Sequence, residues 1–168
     1  MNGRSSKLLI IVGSKNDVPH LSEAIKILRI LKIKPIVSVV SCHRNLPELV
    51  KVLDQDKLVK ENIKVIIAVA RSVSNLPAII AGYLKKTSIS VIGVGLSDKN
   101  LNGIDSLLSV NTIPKGVALL NTGINEVGIY NAVIASAKII SMLDKGVAKR
   151  LEIYINKNDK KAEYDLKV

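Results

Sequence analysis

Four consecutive residues, Ser41-Cys42-His43-Arg44, bring together a hydroxyl, a thiol, an imidazole and a guanidinium. An imidazole exchanges protons near neutral pH. A guanidinium meets phosphate or carboxylate oxygens as a planar fork of donors. The pair points to proton chemistry on a phosphorylated small molecule. These residues close the apolar run Pro35-Ile36-Val37-Ser38-Val39-Val40, which reads as a buried strand. They therefore fall at a strand's carboxyl end, where open α/β sheets bind their ligands. A strand that simply ends in polar residues is the plainer reading of the same run.

A second element adds to the first. Leu8-Leu9-Ile10-Ile11-Val12 reads as another buried strand and breaks into Gly13-Ser14-Lys15-Asn16-Asp17. Beyond it, Leu21, Ala24, Ile25, Leu28 and Leu31 recur at helical spacing. Asp17 stands where an N-cap belongs, and Pro19 falls in the first turn, where its missing N–H costs little. A strand, a Gly-Ser turn and a helix start form an anion site, because free N–H groups and the helix dipole face the ligand. The pattern matches neither the Gly-x-Gly-x-x-Gly dinucleotide fingerprint nor a Walker loop. Other chemistry-bearing residues are weaker. His20 reads as a surface residue in the first turn of that helix. Cys42 and His43, as adjacent strand residues, point to opposite faces, so no thiol–imidazole pair is expected. No Asp, His or Cys grouping has metal-site spacing.

The elements that position these residues alternate along the whole chain. Leu46 to Val59 reads as a helix, Val65–Ala70 as a third buried strand, and Leu76 to Leu84 as a helix with Asn75 as its N-cap. Ser90–Val94 is a fourth strand and Gly116–Leu120 a fifth. A long helix follows from about Gly128 to Leu143, and a short charged one from Val147. Alternating strand and helix with near-continuous apolar strands implies a parallel sheet covered on both faces. The 168 residues fit one domain, here 1–156, with a polar tail over 157–168.

Composition bounds the rest. Hydrophobic residues make up 48%, yet Phe and Trp are absent and only four Tyr occur, so the core must be aliphatic. No run is long enough to cross a bilayer and no signal peptide is evident, so a cytoplasmic protein without a membrane partner is expected. The single cysteine leaves no internal disulfide. A net charge of +11 raises nucleic-acid binding, but the lysines are scattered and stacking aromatics are nearly missing. Residues 145–168 carry seven Lys/Arg against four Asp/Glu, which is no basic arm. A bias toward an anionic substrate is the better account.

With these residues placed, the chain resembles the 5-(carboxyamino)imidazole ribonucleotide mutase family of purine biosynthesis over roughly Leu8 to Leu143. Gly13-Ser14-Lys15-Asn16-Asp17 is similar to the family's Gly-Ser-x-Ser-Asp, and Ser41-Cys42-His43-Arg44 to its Ser-Ala-His-Arg. Gly103-Ile104-Asp105-Ser106-Leu107-Leu108-Ser109, followed by Pro114-Lys115-Gly116, is close to Gly-x-Asp-Ser-Leu-x-Ser with a later Pro-x-Gly. Asn131-Ala132 matches a family Asn-Ala. The resemblance implies a flavodoxin-like, three-layer α/β/α fold with a doubly wound parallel sheet, and a homo-octamer with shared sites. It implies His43 as the proton carrier, with Ser14, Asp17, Ser41, Arg44, Ala70, Asn75 and Leu76 binding the ribonucleotide. The implied reaction moves a carboxylate from the exocyclic nitrogen to ring carbon 4 without ATP, metal or organic cofactor.

One segment departs from the family. Its Gly-Ala-Gly-Gly-Ala-Ala-His-Leu-Pro-Gly is here Val69-Ala70-Arg71-Ser72-Val73-Ser74-Asn75-Leu76-Pro77-Ala78. Glycine permits positive φ and close approach of the backbone to a ligand. Side chains at Val69, Arg71, Ser72 and Val73 are expected to crowd the site. Pro47 sits one position late, and Gly95 replaces a proline. Three functions stay open: a divergent mutase, a related carboxylase of aminoimidazole ribonucleotide or a nicotinate-derived dinucleotide, and a non-catalytic ribonucleotide binder. Arg71-Ser72 is loosely similar to the first carboxylase's Gly-Arg-Ser-Asn, and Asn121–Asn125 is a faint echo of the second.

Overall fold

The computed structural model describes residues 7–99 and 101–158. The apolar runs become five strands: β1 (Lys7–Val12), β2 (Pro35–Val39), β3 (Ile63–Arg71), β4 (Ser90–Leu96) and β5 (Leu120–Ile124). All neighbours pair in parallel, in the order β2-β1-β3-β4-β5. Ile10 faces Val37 on one side and Ile67 on the other, and Ile67 in turn faces Ile92. Seven α-helices occur among the described residues: α1 (Ser22–Ile30), α2 (Leu46–Val52), α3 (Gln55–Lys60), α4 (Asn75–Tyr83), α5 (Ile104–Asn111), α6 (Asn125–Ser141) and α7 (Lys145–Asn158). This is the flavodoxin-like doubly wound α/β/α architecture. No described helix is long and apolar enough to cross a membrane.

Side-chain alternation along the strands builds two aliphatic half-cores. Leu8, Ile10, Val12, Val65, Ile67, Val69, Ile92 and Val94 face α1, α6 and α7, where Leu28, Ile129, Val133 and Ile140 meet them. Leu9, Ile11, Ile66, Ala68 and Ala70 face the other way, toward Leu49, Leu58, Leu76 and Ile80 of α2, α3 and α4. The central strand β3 is buried on both faces, which accounts for its unbroken apolar run.

Several boundaries differ from the expected ones. β2 is an edge strand, with Val37 and Val39 about two-fifths exposed; run length does not distinguish an edge from an interior position. The helix expected over Leu46 to Val59 is two, because Asp54 Oδ1 accepts the Lys57 N–H at 2.8 Å and caps a new start. β5 begins at Leu120 rather than Gly116. Gly116 turns at φ +90°, and Val117 and Leu119 are apolar because they pack on the second half-core rather than pair in the sheet. The long helix α6 starts at Asn125, three residues early, and its charged successor α7 runs through Asn158, with 159–168 outside the described residues.

Gly95, where the family resemblance implies proline, lets α5 settle on β4. A Cβ there would stand 2.6 Å from Ser106 Cβ and 3.1 Å from the Ser106 backbone. That approach places Ser106 Oγ within 2.6 Å of the Leu96 carbonyl and 2.8 Å of the Ser72 carbonyl. Gly95→Ala is expected to cost about 1–3 kcal/mol through overpacking, read as a lower urea midpoint at unchanged slope. An unchanged midpoint would show that α5 is not anchored here.

Candidate active site

The ends of β1 and β2 bring the first two motifs side by side. Val40 N–H donates to the Val12 carbonyl (2.9 Å) and Gly13 N–H to the Val69 carbonyl (3.0 Å), so the sheet pairing carries past both strand ends. Ser14, not Asp17, is the N-cap. Its Oγ accepts the Asn16 N–H at 3.3 Å, and the segment it opens is a 3-10 helix over Lys15–Leu21. Asp17 lies within that helix and is only 2% exposed.

Ser41-Cys42-His43-Arg44 forms a turn rather than a strand end. The Ser41 carbonyl accepts the Asn45 N–H at 2.9 Å, and Ser41 Oγ accepts the Arg44 N–H at 3.3 Å. The turn drives Cys42 into the core beside Leu49 and Leu76, while His43 and Arg44 project to solvent. Burial pushes the Cys42 thiol above its ordinary pKa. A protonated, inward sulfur is a poor nucleophile, so the imidazole is the reactive group of the turn.

A cavity of about 300 Å³ opens above these strand ends. Ser14, Asp17, Ser41, His43 and Arg44 reach it from the two motifs. Ala70, at the end of β3, and Asn75 and Leu76, at the start of α4, complete the set of expected site residues. Asn75 Nδ2 lies 3.2 Å from His43 Nε2, a contact that orients the ring. A second cavity of about 360 Å³ adjoins the first through Gly13, Ser14, Ser41 and Arg44, and its charged lining residues, Lys15 and Arg44, are both basic. The second cavity suits a phosphate, and the imidazole lines the first alone. The position is the point between β1 and β3 where the sheet order reverses. No group of three or more His, Cys, Asp or Glu side chains among the described residues is placed to hold a metal.

Arg71 is expected from the sequence as an obstruction and not as a site residue; the signals for it are its replacement of a family glycine and the loose likeness of Arg71-Ser72 to a carboxylase loop. Its Nε–H donates to Asp17 Oδ1 at 3.1 Å. A second N–H donates to the Ser97 carbonyl at 3.0 Å, and a third faces His20 Nε2 at 3.0 Å. His20 is therefore no free surface residue; its other nitrogen meets Glu126 Oε1 at 2.5 Å, across from the first turn of α6. Ser72 keeps a left-handed backbone, φ +57°, the region that glycine favours. It is held there by its Oγ–H to Asp98 Oδ2 (2.5 Å) and by the Ser106 hydroxyl on its carbonyl. The Ser72 bond and the Lys99 N–H pull the Asp98 carboxyl below its usual range. Of the side chains expected to crowd the site, Val69 is fully buried in the core and Ser72 turns to Asp98, which leaves Arg71 and Val73 among the cavity's lining residues.

A doubly wound parallel sheet carrying an imidazole, two seryl hydroxyls and a guanidinium around a cavity at its switch point defines a flavodoxin-like α/β protein with a candidate small-molecule site. The comparisons make the assignment specific: the chain belongs to the AIR carboxylase family, whose model matches residues 7–161. It is 38% identical over 146 residues to the N5-carboxyaminoimidazole ribonucleotide mutase of Saccharolobus solfataricus, covering 87% of this chain and 88% of that one. To the mutase of the same name from Bacillus subtilis it is 37% identical, with 85% of each chain covered. Among solved structures, PurE of Treponema denticola superposes with a TM-score of 0.78 at 21% identity over 91% of both chains. That likeness concerns the fold.

Proposed function

We propose that the protein is an N5-carboxyaminoimidazole ribonucleotide mutase, acting in purine biosynthesis in the cytoplasm. The observation that carries this reading is the His43 imidazole lining a cavity with Ser14, Ser41 and Arg44, next to a second cavity whose charged lining residues are Arg44 and Lys15. The basic cavity binds the ribose phosphate, and the imidazole ring lies toward His43. The net reaction exchanges one proton for one carboxylate between the exocyclic nitrogen and carbon 4. As the N–CO₂ bond breaks, His43 gives a proton to the nitrogen; carbon 4 attacks the trapped carbon dioxide, and His43 takes back the proton that carbon 4 releases. One acid/base group therefore suffices, provided gas and ring stay in contact.

The carboxylase reading draws on Arg71, a cation in a loop where the mutase resemblance implies glycine. Incubation with the carbamate, in parallel with aminoimidazole ribonucleotide plus bicarbonate, separates the two. Product from the carbamate alone is expected. Product only from the second mixture would establish a carboxylase of aminoimidazole ribonucleotide, and none from either would leave a binder or the carboxylase of a nicotinate-derived dinucleotide.

A homo-octamer completes the proposal. The long helix α6, although apolar on more than one face, does not support it, because Ile129, Ala132, Val133, Ala137 and Ile140 pack in the chain's own core with α1 and α7. The support comes instead from α5, where Ile104, Leu107 and Leu108 are each more than two-fifths exposed, near the carboxyl edge of β4. Light scattering at micromolar concentration is expected to give an assembly near eight times 18.2 kDa. Leu108→Glu is expected to shift it to smaller species, and a monomeric wild type would refute the assembly.

A further inference from the structure

Arg71 is fixed at three points, two on the 3-10 helix and one just past β4. Its donors reach Asp17 in the 3-10 helix, the Ser97 carbonyl just past β4, and His20 one helical turn beyond Asp17. The anchors are themselves tied together. Ser97 N–H donates to Asn125 Oδ1 at 2.8 Å, and the next residue, Glu126, holds His20. The start of α6 thus clamps both the carbonyl and the imidazole that hold the guanidinium.

The protons in this cluster have one consistent arrangement. A guanidinium has donors only, so the His20 Nε2 that meets it must present a lone pair. The His20 proton then sits on Nδ1, where Glu126 Oε1 accepts it. That bond is the main reason the Glu126 carboxyl lies below its usual range. The outer end of the relay is thereby kept anionic. At the inner end, the buried Asp17 lines the cavity and its Oδ1 accepts from Arg71; a carboxylate has further lone pairs with which to accept from a ligand.

We infer that Arg71, braced by Ser97 and by the His20–Glu126 pair, is a positioning residue that fixes the Asp17 carboxylate and aims it at the hydroxyls of a bound ribonucleotide. This rests on the proposed function, from which Asp17 draws its ligand. Arg71 acts through Asp17 and not on the reacting atoms, so its loss should fall on KM rather than kcat.

The test compares Arg71→Met, Arg71→Lys, His20→Gln and His20→Leu in carboxylate transfer. It also reads the His20 ring nitrogens by ¹⁵N NMR in the ligand-free wild type. Arg71→Met is expected to raise KM by about tenfold or more, the size of a lost charge-assisted bond, with kcat changed less than about threefold. The lysine variant, with one ammonium for three acceptors, is expected to fall between. His20→Gln is expected to stay near wild type, since its amide oxygen accepts from Arg71 and its nitrogen donates to Glu126. His20→Leu, which does neither, is expected to raise KM. NMR is expected to show His20 Nε2 unprotonated and Nδ1 protonated. If Arg71→Met does not fold, the lysine and His20 variants and the NMR reading decide. A protonated Nε2, a KM unchanged in Arg71→Met, or equal damage from Gln and Leu at position 20 would overturn the inference while leaving the functional reading intact. Failure of the wild type to bind the ribonucleotide at all would overturn both.

Discussion

Replacing His43 by asparagine is expected to cut carboxylate transfer by about 10²- to 10⁴-fold, the usual contribution of a positioned acid/base. Ribonucleotide affinity should stay within a few-fold. Asparagine preserves polarity near Asn75, which lies 3.2 Å from the imidazole, but has no proton to give and take at neutral pH. His43 is the only imidazole lining the cavity, and the neighbouring thiol is buried with a raised pKa. No other group in the turn can replace it. Steady-state kinetics and equilibrium binding on the same preparation check both halves. Retained turnover would remove His43 from the proton path, and lost binding would make it a ligand rather than an acid/base.

Arg44→Ala is expected to weaken ribonucleotide binding by about 1.5–3 kcal/mol, or roughly ten- to 150-fold, because a charge-assisted contact to phosphate is lost. Arg44 is exposed and lines both cavities, with Lys15 the other cation lining the second. The loss should shrink at high salt, where exposed charges are screened. Arg44→Lys should recover only part of it, since an ammonium lacks the planar fork. Isothermal titration with the ribonucleotide at two salt concentrations reads this directly. Equal affinity for the wild type and Arg44→Ala would place the phosphate elsewhere.

Residues near one another in sequence made the motifs legible. Ser14 and Asp17 follow one strand, and Ser41, His43 and Arg44 follow the next. In a parallel sheet every strand presents its carboxyl end to the same edge, so alternating strands and helices were enough to predict that these residues meet. The aliphatic runs likewise revealed the layers, because a strand buried on both faces has no polar alternation to hide it. The edge position of β2 was not legible, since its run looks like any interior strand until the sheet order is known. β5 was misplaced because Val117 and Leu119 are apolar for packing, while the strand itself is Leu-Asn-Thr-Gly-Ile.

The chain alone therefore determined the family, the fold class and the residues that carry an imidazole, hydroxyls and a guanidinium to one edge. Local order and periodicity encode all of these. The fate of the altered loop was decided only in three dimensions. Arg71 reads as an obstruction beside missing glycines, yet its acceptors lie 54 residues back, 51 back and 26 ahead. His20 reads as a surface residue until Glu126, 106 positions away, arrives beside it. A long side chain's direction is set by whichever acceptors the packed elements present, and no spacing along one segment records them.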